Sequence, residues 1–398
     1  MKKSMLFKGF QGKLLFAIIL TCILLIIIQG IYLYLPSYMW IISYNHLYFY
    51  REGANKGVNK IEILKDFTNG LRNAIRSMKI SGNYLYAVTY VDDNNESVFL
   101  VYDISNPSVP KRIDNGLIFA SDTGGASKGI EIQGNYAYVV SDSSINQDGL
   151  RIIDITNPRS PQIVGGKGLN IFTHCSALAV YGNYAYVGNI FGNLAIVDVS
   201  NPSKPILVST LSGLMYSLWS VKVEGNYAYV GGRPDLTSDP DFEIIDISNK
   251  SSPSVVGSLD IFQEEGGVWT IDVVNSYAYV AGGPNLGNFS TEEKFHIVDI
   301  SDPTNPTIVS SLGLYPGNIG AANYVKVYDK YAYITTWDPD AYNFFIVDIS
   351  NAQNPTVMIP EWVGLWAVTL ASKDRYVYIG LAPIPRNGIY LKLIEISE

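Results

Sequence analysis

Cysteine is nearly absent: the 398-residue chain has two, Cys22 and Cys175. One sits inside an apolar run and the other far downstream, so no disulfide framework can hold the body together. Histidine is as scarce, and His46, His174 and His296 are widely separated. No zinc spacing, P-loop, dinucleotide fingerprint or G-x-S-x-G elbow occurs. Charged residues make up 16% and are unevenly spread. Residues 1–35 hold Lys2, Lys3, Lys8 and Lys13 and no acid, which leaves 24 of the 28 basic side chains against all 36 acidic ones in the remainder. An acidic body without a basic cluster cannot release counterions from a phosphate backbone, so nucleic acid is excluded as a partner.

What the chain does have is apolar and aromatic: 47% hydrophobic and 13% aromatic, with 29 tyrosines. Enough side chain is available to offset the ordering entropy, which excludes disorder. Leu14 to Leu35 runs 22 residues without a formal charge. As a helix at about 1.5 Å per residue it spans roughly 33 Å, against about 30 Å of hydrocarbon. It is longer than a signal peptide's apolar region and no A-x-A-like site follows, so it reads as an uncleaved transmembrane signal anchor. Lysines at residues 1–13 place that basic tail in the cytoplasm and the rest outside. Residues 36–58 then form a juxtamembrane segment or a half repeat, and 59–398 the body.

The body repeats. A Tyr-x-Tyr segment begins at Tyr84, Tyr136, Tyr184, Tyr227, Tyr277, Tyr331 and Tyr376, at intervals of 43 to 54 residues. Interleaved with it is a strand ending in an acid, at Asp103, Asp154, Asp198, Asp246, Asp299, Asp348 and Glu395. Short β-rich strands at this period are the signature of propeller blades of about four strands. Gly-Asn before each of the first four Tyr-x-Tyr copies predicts a tight hairpin between strands a and b. Asn-Pro at 106, 157, 201, 305 and 354 opens the connection from strand c to strand d. The seventh copy stops after strand c, and Ile61 to Phe67 is predicted to supply its missing outer strand, which would remove an exposed edge. The fold predicted is an all-β, seven-bladed β-propeller behind one N-terminal transmembrane helix. Ser43 to Tyr48 resembles Ser81 to Tyr86, so an eight-bladed ring is the alternative.

Leu194-Ala195-Ile196-Val197-Asp198-Val199-Ser200-Asn201-Pro202 resembles the LVIVD repeat, found in predicted propellers of bacterial and archaeal surface proteins. The resemblance extends over all seven copies, from about residue 75 to the end. It implies the propeller fold and is nearly silent on activity, because function lies in sites grafted onto a fold.

Residues present in every blade are therefore read as architecture: the aspartates accept backbone N–H bonds from the following turn, and the tyrosines pack between sheets. Variation is concentrated in the loops from strand b to strand c, which share one face with the d-to-a loops, and loops on a rigid scaffold are where binding residues gather. One register position near the start of strand a rings the central mouth on that face: Arg76, Lys128, Ser176, Trp219, Trp269, Asn323 and Trp366, the last allowing two inserted residues. Such a rim of indoles, cations and an amide suits a sugar or a protein loop, with filling of the taper between inner strands as the alternative role. Lys79, Glu131, Lys222, Asp272 and Lys326 share a second inner position and are expected to pair between blades, since unpaired buried charge is costly.

Asp142, Ser144, Asn146 and Asp148 alternate oxygen donors as a Ca2+ loop does, but the glycine and final glutamate of that pattern are missing. No cofactor is expected, with Ca2+ at these four the sole candidate. The function read from the chain is binding of a cell-surface or extracellular protein or glycan, without catalysis. The alternative is an extracellular polysaccharide hydrolase or lyase using loop carboxylates.

Overall fold

Alternating strands and turns organise the body, as the repeat predicts. The computed structural model describes strands Tyr38–Ser43, His46–Arg51 and Lys60–Phe67, and residues 75–397 apart from 90–96, 115, 121–126, 142–148, 168, 170, 172, 236–238, 263–265, 285–292, 315–320, 337–341, 362, 364–366 and 382–390. The proposed membrane segment, the Ca2+ candidate at 142–148 and Trp366 lie outside the described residues.

Residues Val58–Glu398 form one unit. Seven antiparallel sheets succeed one another in chain order, each running a-b-c-d. The fourth blade is representative, with strands Ser217–Glu224, Tyr227–Arg233, Phe242–Asp246 and Ser254–Leu259. In the first blade, strand c also pairs with a short extra strand, Leu117–Ala120. The seven inner strands neighbour one another in order, and the last, Ala367–Lys373, lies beside the first, Ile75–Ser81. The seventh blade is completed from the other end of the ring: Lys60–Phe67 pairs antiparallel with Leu391–Ser397, Ile61 opposite Ile396 and Phe67 opposite Leu391. That is the closure expected from the truncated last copy. The eight-bladed alternative is not what forms, because Tyr38–Ser43 and His46–Arg51 pair with each other as a two-stranded sheet of their own, in a separate unit, Met1–Gly57.

Local chemistry explains the turns. The first turn residue of each a-b hairpin takes a left-handed conformation, supplied by glycine in four blades, as at Gly82 (φ 57°), and by Asn275, Asp329 and Asp374 in the other three. These short polar side chains are among the few that tolerate it. At the end of strand c, Asp103, Asp154, Asp198, Asp246, Asp299 and Asp348 each accept the backbone N–H two residues on, at 2.8–2.9 Å. The next turn residue repeats the device: Asn157, Asn201, Asn249, Asp302 and Asn351 each accept an N–H two residues on. Asp302 and Asn351 thus open the turn in blades five and six, and the Asn-Pro at 305 and 354 closes it.

Seven apolar clusters hold the ring, each built from two adjacent blades. The second tyrosine of the pair enters them: Tyr86 packs on Phe99 at 5.9 Å, in a cluster that includes Ile130 and Ile153 of the next blade. A second contact ties outer strands together. Gly165, Ser209, Gly257 and Ser310 occupy one register position on strand d. Each meets a backbone carbonyl of the next blade's c-d turn. Ser209 donates to the Lys250 carbonyl at 2.6 Å and Ser310 to that of Ala352 at 2.8 Å. At Gly165 and Gly257 a Cβ would overlap the Pro202 and Pro303 carbonyl oxygens, so bare backbone lies against them.

Gly257→Ala is expected to destabilise the ring by about 1–3 kcal/mol, the cost of forcing extra volume into a packed junction. Ser209→Ala removes one neutral hydrogen bond and should cost about 1 kcal/mol. Chemical denaturation of the two variants beside the parent checks both the order and the size.

Candidate functional site

Every inner strand carries a β-bulge near its start. Partner registers skip one residue there, and the skipped residues are Arg76, Lys128, Ser176, Trp219, Trp269, Asn323 and Val368. A bulge leaves one residue outside the ladder and re-aims its side chain. The residues singled out by sequence register are therefore the bulged ones, with one correction. Val368, eight residues before Tyr376 as in the other six blades, holds the seventh position, so the two-residue insertion that selected Trp366 does not exist.

The described bulge side chains converge on a cavity of about 300 Å3 within the ring, lined by Arg76, Ser176, Trp219, Trp269, Asn323 and Val368. Lys128 holds its bulge by backbone register, but its side chain lies outside the described residues. Several of these side chains also bridge blades. Ser176 donates to the Leu218 carbonyl, and Asn323 donates to that of Ala367 at 2.8 Å while accepting from Thr335 at 2.8 Å. Trp219 and Trp269 lie with ring centroids 5.0 Å apart and planes inclined at 46°. The rim is thus both blade packing and cavity wall.

Below it, the residue opposite the second tyrosine of each blade forms an inner ring: Lys79, Glu131, Ala179, Lys222, Asp272, Lys326 and Ala371. The expected pairs form, Lys79 with Glu131 at 2.9 Å and Asp272 with Lys326 at 2.9 Å and Lys222 at 3.7 Å. Burial works against the Lys79 charge, but Glu131, together with Tyr324 and Asp272, outweighs burial and raises the ammonium above its usual value. For Asp272, burial opposes ionisation, while Lys222 and Lys326 overcome it and hold the carboxyl below the ordinary range. Lys222 goes the other way: burial and the Lys79 charge hold it below the usual lysine value despite Asp272.

Sequence reading missed four contributors. Tyr324, the residue after the sixth bulge, lines the cavity beside the lysines. Phe191 and Tyr216, 56% and 54% exposed, lie on loops of blades three and four, with Arg233 5.9 Å from the Tyr216 ring. Because their loops differ in length and register between blades, no periodic signal marks them. Other buried titratable groups lie outside the cavity lining: burial pushes Asp241 and Glu243 up to about 7 and His296 down to about 4.

Six segments, residues 74–115, 124–166, 174–212, 217–261, 265–312 and 319–359, match a known sequence family described as the LVIVD repeat. No curated protein matches the chain. Among solved structures, the WD40 domain of Neurospora crassa Pan2 aligns at a TM-score of 0.59 and 10% identity, over 84% of this chain and 95% of that one. The WD40 repeats of RRP9 align at 0.57 and 11% identity, over 85% and 97%. The computationally designed Ika8 protein aligns at 0.55 and 12% identity, over 84% and 99%. At these identities the likeness is one of fold alone.

Asp272→Ala would leave the half-buried Lys222 and Lys326 without their acid, and is expected to cost about 2–3 kcal/mol, below the full penalty of breaking a buried pair. The same carboxylate makes stability pH-dependent. Its folded value lies below the unfolded value of 3.8, so the contribution is complete above about pH 4 and fades as pH falls through the folded value. Denaturation midpoints of parent and variant, compared between pH 7 and pH 3, should converge towards the acid end.

Proposed function

The chain belongs to the LVIVD-repeat family, whose motif is a strand and a turn, and we propose that it is a membrane-anchored, extracytoplasmic propeller that binds a cell-surface or extracellular protein or glycan through its variable loop face, without catalysis. The observation that carries this reading is the Trp219–Trp269 pair at the wall of the central cavity. Aromatic side chains gathered at a concave site with a few polar groups are the usual makings of a binding surface. A hydrolase of the two-carboxylate kind would be supported by a pair of acids facing one another at the mouth. Among the described lining residues there is one, Glu131, and it is held by Lys79 at 2.9 Å.

Anchoring rests on the uncharged run from Leu14 to Leu35 and the lysines that precede it. Intact cells treated with an external protease should lose the propeller while the protein remains in the membrane fraction after an alkaline wash. Full protection, or release by the wash, would overturn the topology. For the binding face, the full-length protein and a Trp219→Ala/Trp269→Ala variant are compared on a glycan array and in pull-downs from extracellular material. Loss of about tenfold or more in affinity at retained fold is expected, since buried aromatic anchors commonly carry 2 kcal/mol or more. Unchanged binding by the folded variant would rule the rim out.

A further inference from the structure

The inner ring of charges is one acid short. Three lysines, Lys79, Lys222 and Lys326, face two carboxylates, Glu131 and Asp272, and blades three and seven contribute alanines, Ala179 and Ala371, at the same position. The distances show which lysine is held least closely. Lys79 has Glu131 at 2.9 Å. Lys326 reaches both oxygens of Asp272, at 3.0 and 2.9 Å, and one of them also accepts the Val327 N–H at 2.8 Å. Lys222 is left 3.7 Å from the same carboxylate, beyond hydrogen-bonding reach, and its other neighbour in the ring is the Ala179 methyl.

This under-satisfied ammonium lines the central cavity together with Lys79, and an ammonium has three N–H donors to place. A cation held in such a confined site calls for an anion, and the lysines provide that positive charge against the net negative charge of the body. The lining also holds aromatic rings: Trp219 and Trp269 lie on the bulges of the strand that carries Lys222 and of the next inner strand, and Tyr324 stands beside the lysines. A volume of about 300 Å3 is at the small end of ligand pockets, whereas a protein interface covers about 800 Å2 on each partner. One ring-sized group fits it better than a folded loop does.

The geometry points to an acidic sugar as the ligand, a uronic acid residue whose carboxylate meets Lys222 and whose ring lies against Trp219 and Trp269. This rests on the binding reading above and narrows it to a substrate class.

The test titrates methyl glucuronide, methyl glucoside and a glutamate-containing peptide into the full-length protein in detergent micelles, followed by calorimetry. The glucuronide should bind at least about tenfold more tightly than the glucoside, the worth of one charge-assisted hydrogen bond. Lys222→Met should abolish that preference while Lys326 keeps Asp272 paired. Ala179→Glu, which supplies the missing acid from within the ring, should block the glucuronide without removing any cation, and serves should Lys222→Met fail to fold. Equal binding of the two sugars, no binding of either, tighter binding of the peptide, or a preference surviving both variants would each overturn the inference. Glucoside binding that is lost with Trp219→Ala but shows no charge preference sinks the anion site and leaves the rim standing. Glucuronide binding indifferent to Trp219→Ala but lost in Lys222→Met does the opposite.

Discussion

A four-stranded sheet cannot bury both of its faces alone, and each blade here does so only by lying between two others. The arrangement therefore depends on closure, because an open row of seven blades would leave two sheets with a bare face. Closure is achieved by strand exchange between the ends of the ring: Lys60–Phe67 completes the sheet that ends with Leu391–Ser397. Once that ladder forms, Ala367–Lys373 comes to lie beside Ile75–Ser81, and the apolar cluster shared by the first and last blades is enclosed. Tyr378, fully buried in that cluster, donates its hydroxyl to the Pro107 carbonyl at 2.8 Å, so the seam carries a polar latch as well.

The same repetition that closes the ring creates its interior. Seven inner strands carry a bulge at the same place, the six described bulge side chains line a common cavity, and those positions are not alike. The position opposite the second tyrosine is similarly free to vary, and it holds five charged residues and two alanines. Half-buried charges at such density must be mutually compensated, and the distances show that they are, with Lys222 held least closely. The blades thus provide a rigid frame, and differences between copies provide a cavity of particular charge and shape.

Much of this was legible in the linear pattern. Tyr-x-Tyr and the terminal aspartate recur with so little drift that strands, turn residues and the number of blades could be set in register by counting. The inter-blade pairs of Lys79 with Glu131 and of Asp272 with its two lysines followed from the same counting, since equivalent residues on consecutive inner strands are neighbours. Counting failed at the seventh rim position, where an assumed insertion selected Trp366 and the ladder selects Val368. It failed too at Phe191 and Tyr216, whose loops follow no common register, and at Tyr324, which is one residue beyond the ringed position.

What the sequence determined by itself is the periodic part: strand identity, turn chemistry, the acid-to-backbone bonds and the borrowed closing strand. These are local properties, set by side-chain alternation, by the conformational tolerance of glycine, asparagine and aspartate, and by hydrogen bonds spanning two residues. Only the tertiary structure decided how the non-repeating residues meet. It set the bulges that bring Trp219 beside Trp269, the choice of Lys326 over Lys222 as the closer partner of Asp272, and the cavity that these residues border. These outcomes depend on distances of a few ångströms across the ring, between residues up to a whole chain apart, and no spacing along the chain encodes them.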